Sequence, residues 1–172
     1  LVKIDIKNAK ILMKKALNQG YKSAAIVLIH AWKHPKHEKI LKKIAIELGF
    51  SNVCISYDTA PLIGLNSRGD TTVVDAYLTP KLNRYTKNIS LNIKNTKIFY
   101  IKSTGGLTSS KNFSGKDAVL SGPAGGVIAA VETNKLNKKY EGIIGLDMGG
   151  TSTDVFHYKD HYERSYENII AG

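Results

Sequence analysis

Two apolar runs, Ala24-Ala25-Ile26-Val27-Leu28-Ile29 and Val53-Cys54-Ile55-Ser56-Tyr57, constrain the fold of this chain more than any other feature. Each has the length of a strand, and the first is continuous, as in a parallel strand buried on both faces. Between them Pro35 sits where a first helical turn starts. Ile40, Leu41, Ile44, Ala45 and Leu48 then form an apolar stripe, and Gly49 is a helix terminator. Strand, helix, strand at this spacing is a βαβ unit with a parallel sheet, which makes the protein α/β.

The 172 residues, 42% hydrophobic and 23% charged, suit one globular domain or the abutting parts of two. No apolar run is long enough for a membrane span, and Leu1-Val2-Lys3-Ile4-Asp5 lacks the features of a signal peptide. The first residue is not Met, so upstream sequence is expected. A single cysteine, Cys54, rules out an internal disulfide framework and fits a reducing cytoplasm. The formal net charge of +11 comes almost wholly from scattered lysines. Without a recognition motif or aromatic platform it does not indicate nucleic acid.

Elsewhere the pattern predicts an amphipathic helix over residues 5–18, with Ile11, Leu12, Ala16 and Leu17 near helical spacing and Gly20 as its stop. A second helix is expected over 71–92, with Val74, Tyr77, Leu78, Leu82 and Tyr85 on one side and Pro80 kinking or dividing it. A strand at 97–101, a turn at 104–107 and a helix from Gly122 to about Leu136 follow. The chain continues with a short buried strand at 142–146 and another strand at 153–158. Periodicity fails over 58–70, the best place for a domain boundary.

The chemistry-bearing segment is Asp147-Met148-Gly149-Gly150-Thr151-Ser152-Thr153-Asp154. An apolar strand delivers Asp147, two glycines turn the chain, and three hydroxyl residues and a second acid follow. Glycines let backbone N–H groups approach phosphate oxygens, hydroxyls add donors, and a carboxylate beside the turn suits hydrated magnesium. The same residues are also consistent with a plain hairpin turn, Gly149 and Gly150 supplying positive φ. Upstream, Gly122-Pro123-Ala124-Gly125-Gly126 opens a helix whose first N–H groups can face an anion, or whose small residues serve close packing. His30, His34, His37 and Glu38 cluster, but read more simply as a helix start with Glu38 in the first turn, where an acid suits the dipole. Cys54 reads as a small buried hydrophobe.

The segment Asp147-Met148-Gly149-Gly150-Thr151-Ser152-Thr153-Asp154-Val155 resembles the signature of the hydantoinase A/5-oxoprolinase family, and the match is nearest to its ATP-dependent 5-oxoprolinases. The blocks from Phe113 to Val127, from Ser67 to Pro80, Ser103-Thr104-Gly105-Gly106-Leu107 and His34-Pro35-Lys36-His37-Glu38 are similar to family blocks in the same order.

That resemblance implies a partial actin-like, sugar-kinase-like ATPase fold, the end of one lobe and the start of the second. Residues 1–66 would close the family's N-terminal region, and 67–172 would begin its hydantoinase A/oxoprolinase domain. It implies ATP-driven opening of a cyclic amide, 5-oxoproline to glutamate, in a cytoplasmic enzyme, with N-methylhydantoin hydrolysis or ketone carboxylation as family alternatives. A non-enzymatic nucleotide-binding or basic binding module is the reading outside enzymology. Gly149, Gly150, Thr151, Ser152 and Thr153 would hold ATP phosphates, and Asp154 would support the loop. Asp147 would be catalytic and position magnesium, while Gly122, Gly125 and Gly126 would belong to the helix linking the lobes. Family members carry a second Asp-Gly-Gly-Thr loop near their own N-terminus, and none occurs here before Gly105. The chain is therefore expected to be a fragment, inactive by itself. Its expected partners are the cyclic amide and the rest of the polypeptide or a hydantoinase B-like subunit. Homo-oligomerisation is left open.

Overall fold

The computed structural model describes residues 3–137 and 140–162. The chain forms two compact units, one of residues 1–97 with 114–116, the other of 98–113 with residues from 117 onward. Among the described residues no helix is long and apolar enough to cross a membrane.

In unit 1, helix α1 (Ile6–Asn18) is capped by Asp5, whose carboxylate accepts from the Asn8 N–H at 2.9 Å. Its inward residues are Ala9, Met13, Ala16 and Leu17, whereas Ile11 and Leu12, expected in the stripe, are exposed. The βαβ unit is present: β1 (Ser23–Ile26) and β2 (Asn52–Ile55) pair in parallel, with α2 (Lys36–Leu48) between them. Gly49 ends α2 at φ 107°, a left-handed conformation that glycine adopts without strain.

Both strands stop short of their apolar runs, and the cause is a buried polar network. Glu38 is not a solvent-facing first-turn acid. It is fully buried and accepts from the Leu28 N–H at 2.8 Å, the Ser56 hydroxyl at 2.6 Å and the Tyr57 N–H at 3.0 Å. Arg68, also fully buried, uses all five of its donors. Nε donates to Ser56 Oγ at 2.9 Å, and the two terminal nitrogens donate to the carbonyls of Leu62, Ile63, Leu28 and Ile29 at 2.7–3.2 Å. The backbone beyond β1 and β2 is thus satisfied by side chains instead of by strand pairing, and the chain after β2 turns directly into α3 (Ser56–Thr59).

Helix α4 (Leu65–Asn92) continues through Pro80, so the proline does not divide it. Proline has no N–H for the carbonyl four residues back, that of Ala76. Ala76 O instead accepts from Ser23 Oγ at 2.6 Å and from Asn52 Nδ2 at 3.1 Å, so the orphaned carbonyl becomes an anchor onto the ends of β1 and β2. The inward face of α4 is correspondingly polar, with Arg68, Thr72, Asp75 and Thr86 buried beside Ala76. Val74, Tyr77 and Tyr85, expected on the packed side, are exposed. The stretch 58–70, where regularity was expected to fail, holds the last two residues of α3 and the first six of α4. Farther along α4, Asp75 Oδ1 accepts from the Lys116 N–H at 3.0 Å and Thr79 Oγ1 from the Gly115 N–H at 2.8 Å. A Cβ on Gly115 would lie 2.7 Å from Leu78 Cβ and 2.9 Å from Thr79 N, so only glycine fits.

In unit 2, β3 (Tyr100–Ile101) and β4 (Leu107–Thr108) form a small antiparallel hairpin, with Gly105 at φ 83° in its turn. The Ser103 hydroxyl donates to Asp117 O at 2.8 Å, near the end of α5 (Gly115–Ala118), and accepts from the Leu120 N–H at 3.0 Å. Helix α6 (Ser121–Asn137) follows and packs on a second antiparallel hairpin, β5 (Gly142–Met148) with β6 (Thr153–Lys159). Gly145 lies opposite Phe156, whose ring occupies the place a Cβ would take. The expected burial of β5 is not met. Ile144 at 78%, Leu146 at 63% and Met148 at 72% exposure share an open face with Val155.

Arg68→Met leaves Glu38 buried without its bridge to a cation, a change that costs about 3–5 kcal/mol. Urea unfolding of the full chain measures it. A loss under about 1 kcal/mol contradicts the central place given to this network.

Candidate functional site

The hairpin β5–β6 builds the site. Its register places Met148 opposite Thr153 and Asp147 opposite Asp154, while the Gly149 N–H donates to Ser152 O at 2.9 Å and closes the four-residue turn 149–152. Directly opposed residues in an antiparallel pair share a face, with Cβ atoms about 4.5–5.5 Å apart. The two carboxylates therefore stand side by side at the neck of the glycine turn. Asp147, Asp154 and all of 149–153 are exposed, so the acids face solvent rather than the apolar interior.

Gly149 and Gly150 do not supply positive φ, unlike in the plain hairpin-turn reading. Gly150 has no atom within 4 Å of the position a Cβ would take, and the nearest to that of Gly149 is Ser152 O at 3.5 Å. The tip is open, and the hydroxyls of Thr151, Ser152 and Thr153 lie along the same six-residue stretch that ends in Asp154.

Like charges directly opposite one another destabilise a strand pair unless a cation sits between or beside them. Carboxylate oxygens at an open turn fit magnesium, which accepts one or two carboxylates and keeps several waters. They do not fit a soft metal. No group of three or more His, Cys, Asp or Glu residues placed to hold a metal occurs among the described residues. The fit is thus to a hydrated ion completed by a ligand's own oxygens. The sequence reading gave Asp154 a supporting role. The register makes it the facing partner of Asp147, a relation that their spacing across a short turn signals.

Gly122, Gly125 and Gly126 occupy the first two turns of α6. A Cβ on Gly125 would meet Ile101 Cδ1 at 3.3 Å, and those of Gly122 and Gly126 would meet nothing within 4 Å. Close approach to β3 thus explains Gly125. These glycines share unit 2 with the turn 149–152, but no atom of that turn lies within 4 Å of their Cβ positions.

Cys54, in unit 1, is no nucleophile. Burial pushes its thiol from the usual 9.0 up to about 12, assisted by the charge of Asp75, whose Oδ2 accepts from Sγ at 3.4 Å.

The profile of the hydantoinase/oxoprolinase family matches residues 68–172, more than half of the chain, and the protein belongs to that family. The chain is 40% identical to 5-oxoprolinase 1 of Arabidopsis thaliana over 172 residues, 98% of its length. It is likewise 40% identical to the 5-oxoprolinase of Saccharomyces cerevisiae over 174 residues, 99% of its length. It spans 14% of the length of each of these relatives. Two solved structures share its fold over 91% of the chain. One is acetone carboxylase in a nucleotide-free structure, with a TM-score of 0.78, 25% identity and 23% of that chain covered. The other is the ATP-dependent caprolactamase of Pseudomonas jessenii, with a TM-score of 0.79, 26% identity and 24% covered.

Iodoacetamide at about pH 8 leaves Cys54 unmodified in the folded chain and alkylates it in urea. Rapid alkylation without denaturant contradicts the assignment. Because the folded thiol titrates above the unfolded one, its contribution to stability is full below pH 9.0 and fades as pH rises toward about 12.

Proposed function

We propose that this chain supplies a phosphate-and-magnesium-holding loop to an ATP-dependent enzyme that opens a cyclic amide, 5-oxoproline to glutamate. The observation that carries the reading is the facing pair Asp147 and Asp154 at the neck of an open Gly149-Gly150 turn. The 40% identity to two 5-oxoprolinases over nearly the whole chain supports the substrate.

An unstrained amide is a poor electrophile. When bound, ATP supplies the phosphoryl group that activates the carbonyl oxygen, and magnesium offsets the charge on the phosphates. In this reading the backbone N–H groups of Gly150, Thr151 and Ser152 and the hydroxyls of Thr151, Ser152 and Thr153 donate to phosphate oxygens. Asp147 and Asp154 hold the hydrated cation through oxygen, with Asp147 the residue on which turnover depends. Gly122, Gly125 and Gly126 keep the start of α6 slim where another part of the protein approaches. The cyclic amide and the catalytic surroundings are contributed by the rest of a protein of the relatives' length, or by a hydantoinase B-like subunit. Residues 1–66 and 67–172 are then the end of one family region and the start of the next. A clamp made from one side only positions reactants poorly, so the 172-residue chain by itself is expected to lack enzymatic ATP hydrolysis.

A second reading keeps the loop and changes the substrate. The fold is matched equally well by an acetone carboxylase and a caprolactamase, so a ketone or a larger lactam is the alternative.

Asp147→Asn in a protein of the relatives' length lowers ATP turnover by at least about a hundredfold, a loss of the size seen when a preorganised charge contact is removed. Coupled assay of phosphate and glutamate release from 5-oxoproline measures it. Unchanged turnover contradicts the role of Asp147, and ATP turnover without 5-oxoproline opening favours the second reading.

A further inference from the structure

Unit 1 has a pocket of its own, about 800 Å³, between the end of β1 and the first two turns of α2. Its size is that of a small-molecule site. Four lysines line it: Lys33, Lys36, Lys39 and Lys43. Three histidines, His30, His34 and His37, stand among them. No carboxylate lines the pocket.

The sequence alone would not make this imbalance informative, because lysines are scattered throughout the chain. The structure does. Residues 28–43 contain a single acid, Glu38, and that acid is turned away from the pocket and fully buried, both oxygens engaged by Leu28, Ser56 and Tyr57. Lys42, the remaining cation of the stretch, points elsewhere, to Asp58 at 2.8 Å. Of the lining lysines, Lys43 reaches Glu47 only at 3.9 Å with both side chains exposed, a contact of little strength, and Lys39 lies over the Tyr57 ring at 5.2 Å. The fold has therefore spent the one local counter-charge in its core network and gathered unneutralised cations around a concavity. Concave walls of one sign focus potential on whatever enters.

Apolar atoms dominate the floor. Leu28, Ile29, Ala31, Pro35 and Ile40 line it beside the basic groups, Ile29 with much of its side chain exposed. A bare ion would leave that surface wet, whereas an anion with an organic body covers it.

We propose that this pocket is a binding site for a small organic phosphate, its phosphate held by the lysines and histidines and its apolar body resting on Leu28, Ile29 and Ile40. The pocket shares no residue with the turn 149–152, and the proposal does not depend on the reading of that turn.

The test is a two-dimensional amide NMR titration of the full chain with phenyl phosphate, inorganic phosphate and a single-stranded oligonucleotide. Phenyl phosphate shifts resonances of residues 28–43 and binds at least about threefold more tightly than inorganic phosphate, as expected from covering apolar area. The double variant Lys36→Gln/Lys39→Gln weakens it about tenfold, while Lys10→Gln/Lys87→Gln, on other helices, changes it less than about twofold. All four lysines are exposed, and the amide spectrum of each variant reports whether the fold is retained. The proposal is overturned if shifts spread over all basic surfaces, if both double variants weaken binding alike, or if only the oligonucleotide binds.

Discussion

The buried relay from Arg68 through the Ser56 hydroxyl to Glu38 is the constraint on which unit 1 depends. Two charged groups with no exposed surface would destabilise any fold that left their hydrogen bonds unmade. Here every guanidinium donor is satisfied, and the carboxylate gathers three donors from two separate strand ends. One network therefore sets where β1 ends, where β2 gives way to α3, how α2 is rotated and how the start of α4 is seated. The carbonyl of Ala76, freed by Pro80, supplies the second fixation of α4 through Ser23 and Asn52. Between them these polar contacts fix the helices around an apolar core of Ile26, Ile44, Ala45, Ile55 and Ala76.

The polar network explains what the sequence made legible and what it hid. The βαβ unit, the helix terminator at Gly49 and the hairpin around Gly149-Gly150 rest on local chemistry, and local chemistry is readable in a single chain. The inward face of α4 is not, because Val74, Tyr77 and Tyr85 spell out an apolar stripe while Arg68, Thr72 and Asp75 are the residues buried. The continuity of α4 through Pro80 was hidden for a related reason, since the donors that serve Ala76 O come from residues 24 and 53 positions away along the chain. Periodicity also marked β5 as buried, although Ile144, Leu146 and Met148 line an open face of a two-stranded sheet. The candidate site was legible as a list of residues but not as a geometry. That Asp147 and Asp154 face each other follows from register, which depends on how the turn closes.

The site itself is a case of local conflict held in a stable frame. Two like charges in register weaken a strand pair, and the four-residue turn beside them leaves its glycines open to solvent. Under the proposed function, a cation with phosphate oxygens would neutralise the acids at the mouth of this turn. Family membership gives this arrangement its context. The relatives extend far beyond the stretch shared with this chain, and the proposed function assigns the remaining walls of a closed site to that longer architecture. Unit 1 shows the complementary pattern, a carboxylate withdrawn into the core and cations left at a pocket mouth.

The most direct measurement of the central claim is a crystal structure of a protein of the relatives' length, containing this chain, with magnesium and a non-hydrolysable ATP analogue. The account predicts phosphate oxygens within hydrogen-bonding distance of the backbone amides of 150–152, and a hydrated magnesium between those oxygens and the carboxylates of Asp147 and Asp154. Phosphates bound elsewhere, with both carboxylates remaining in solvent, would contradict it.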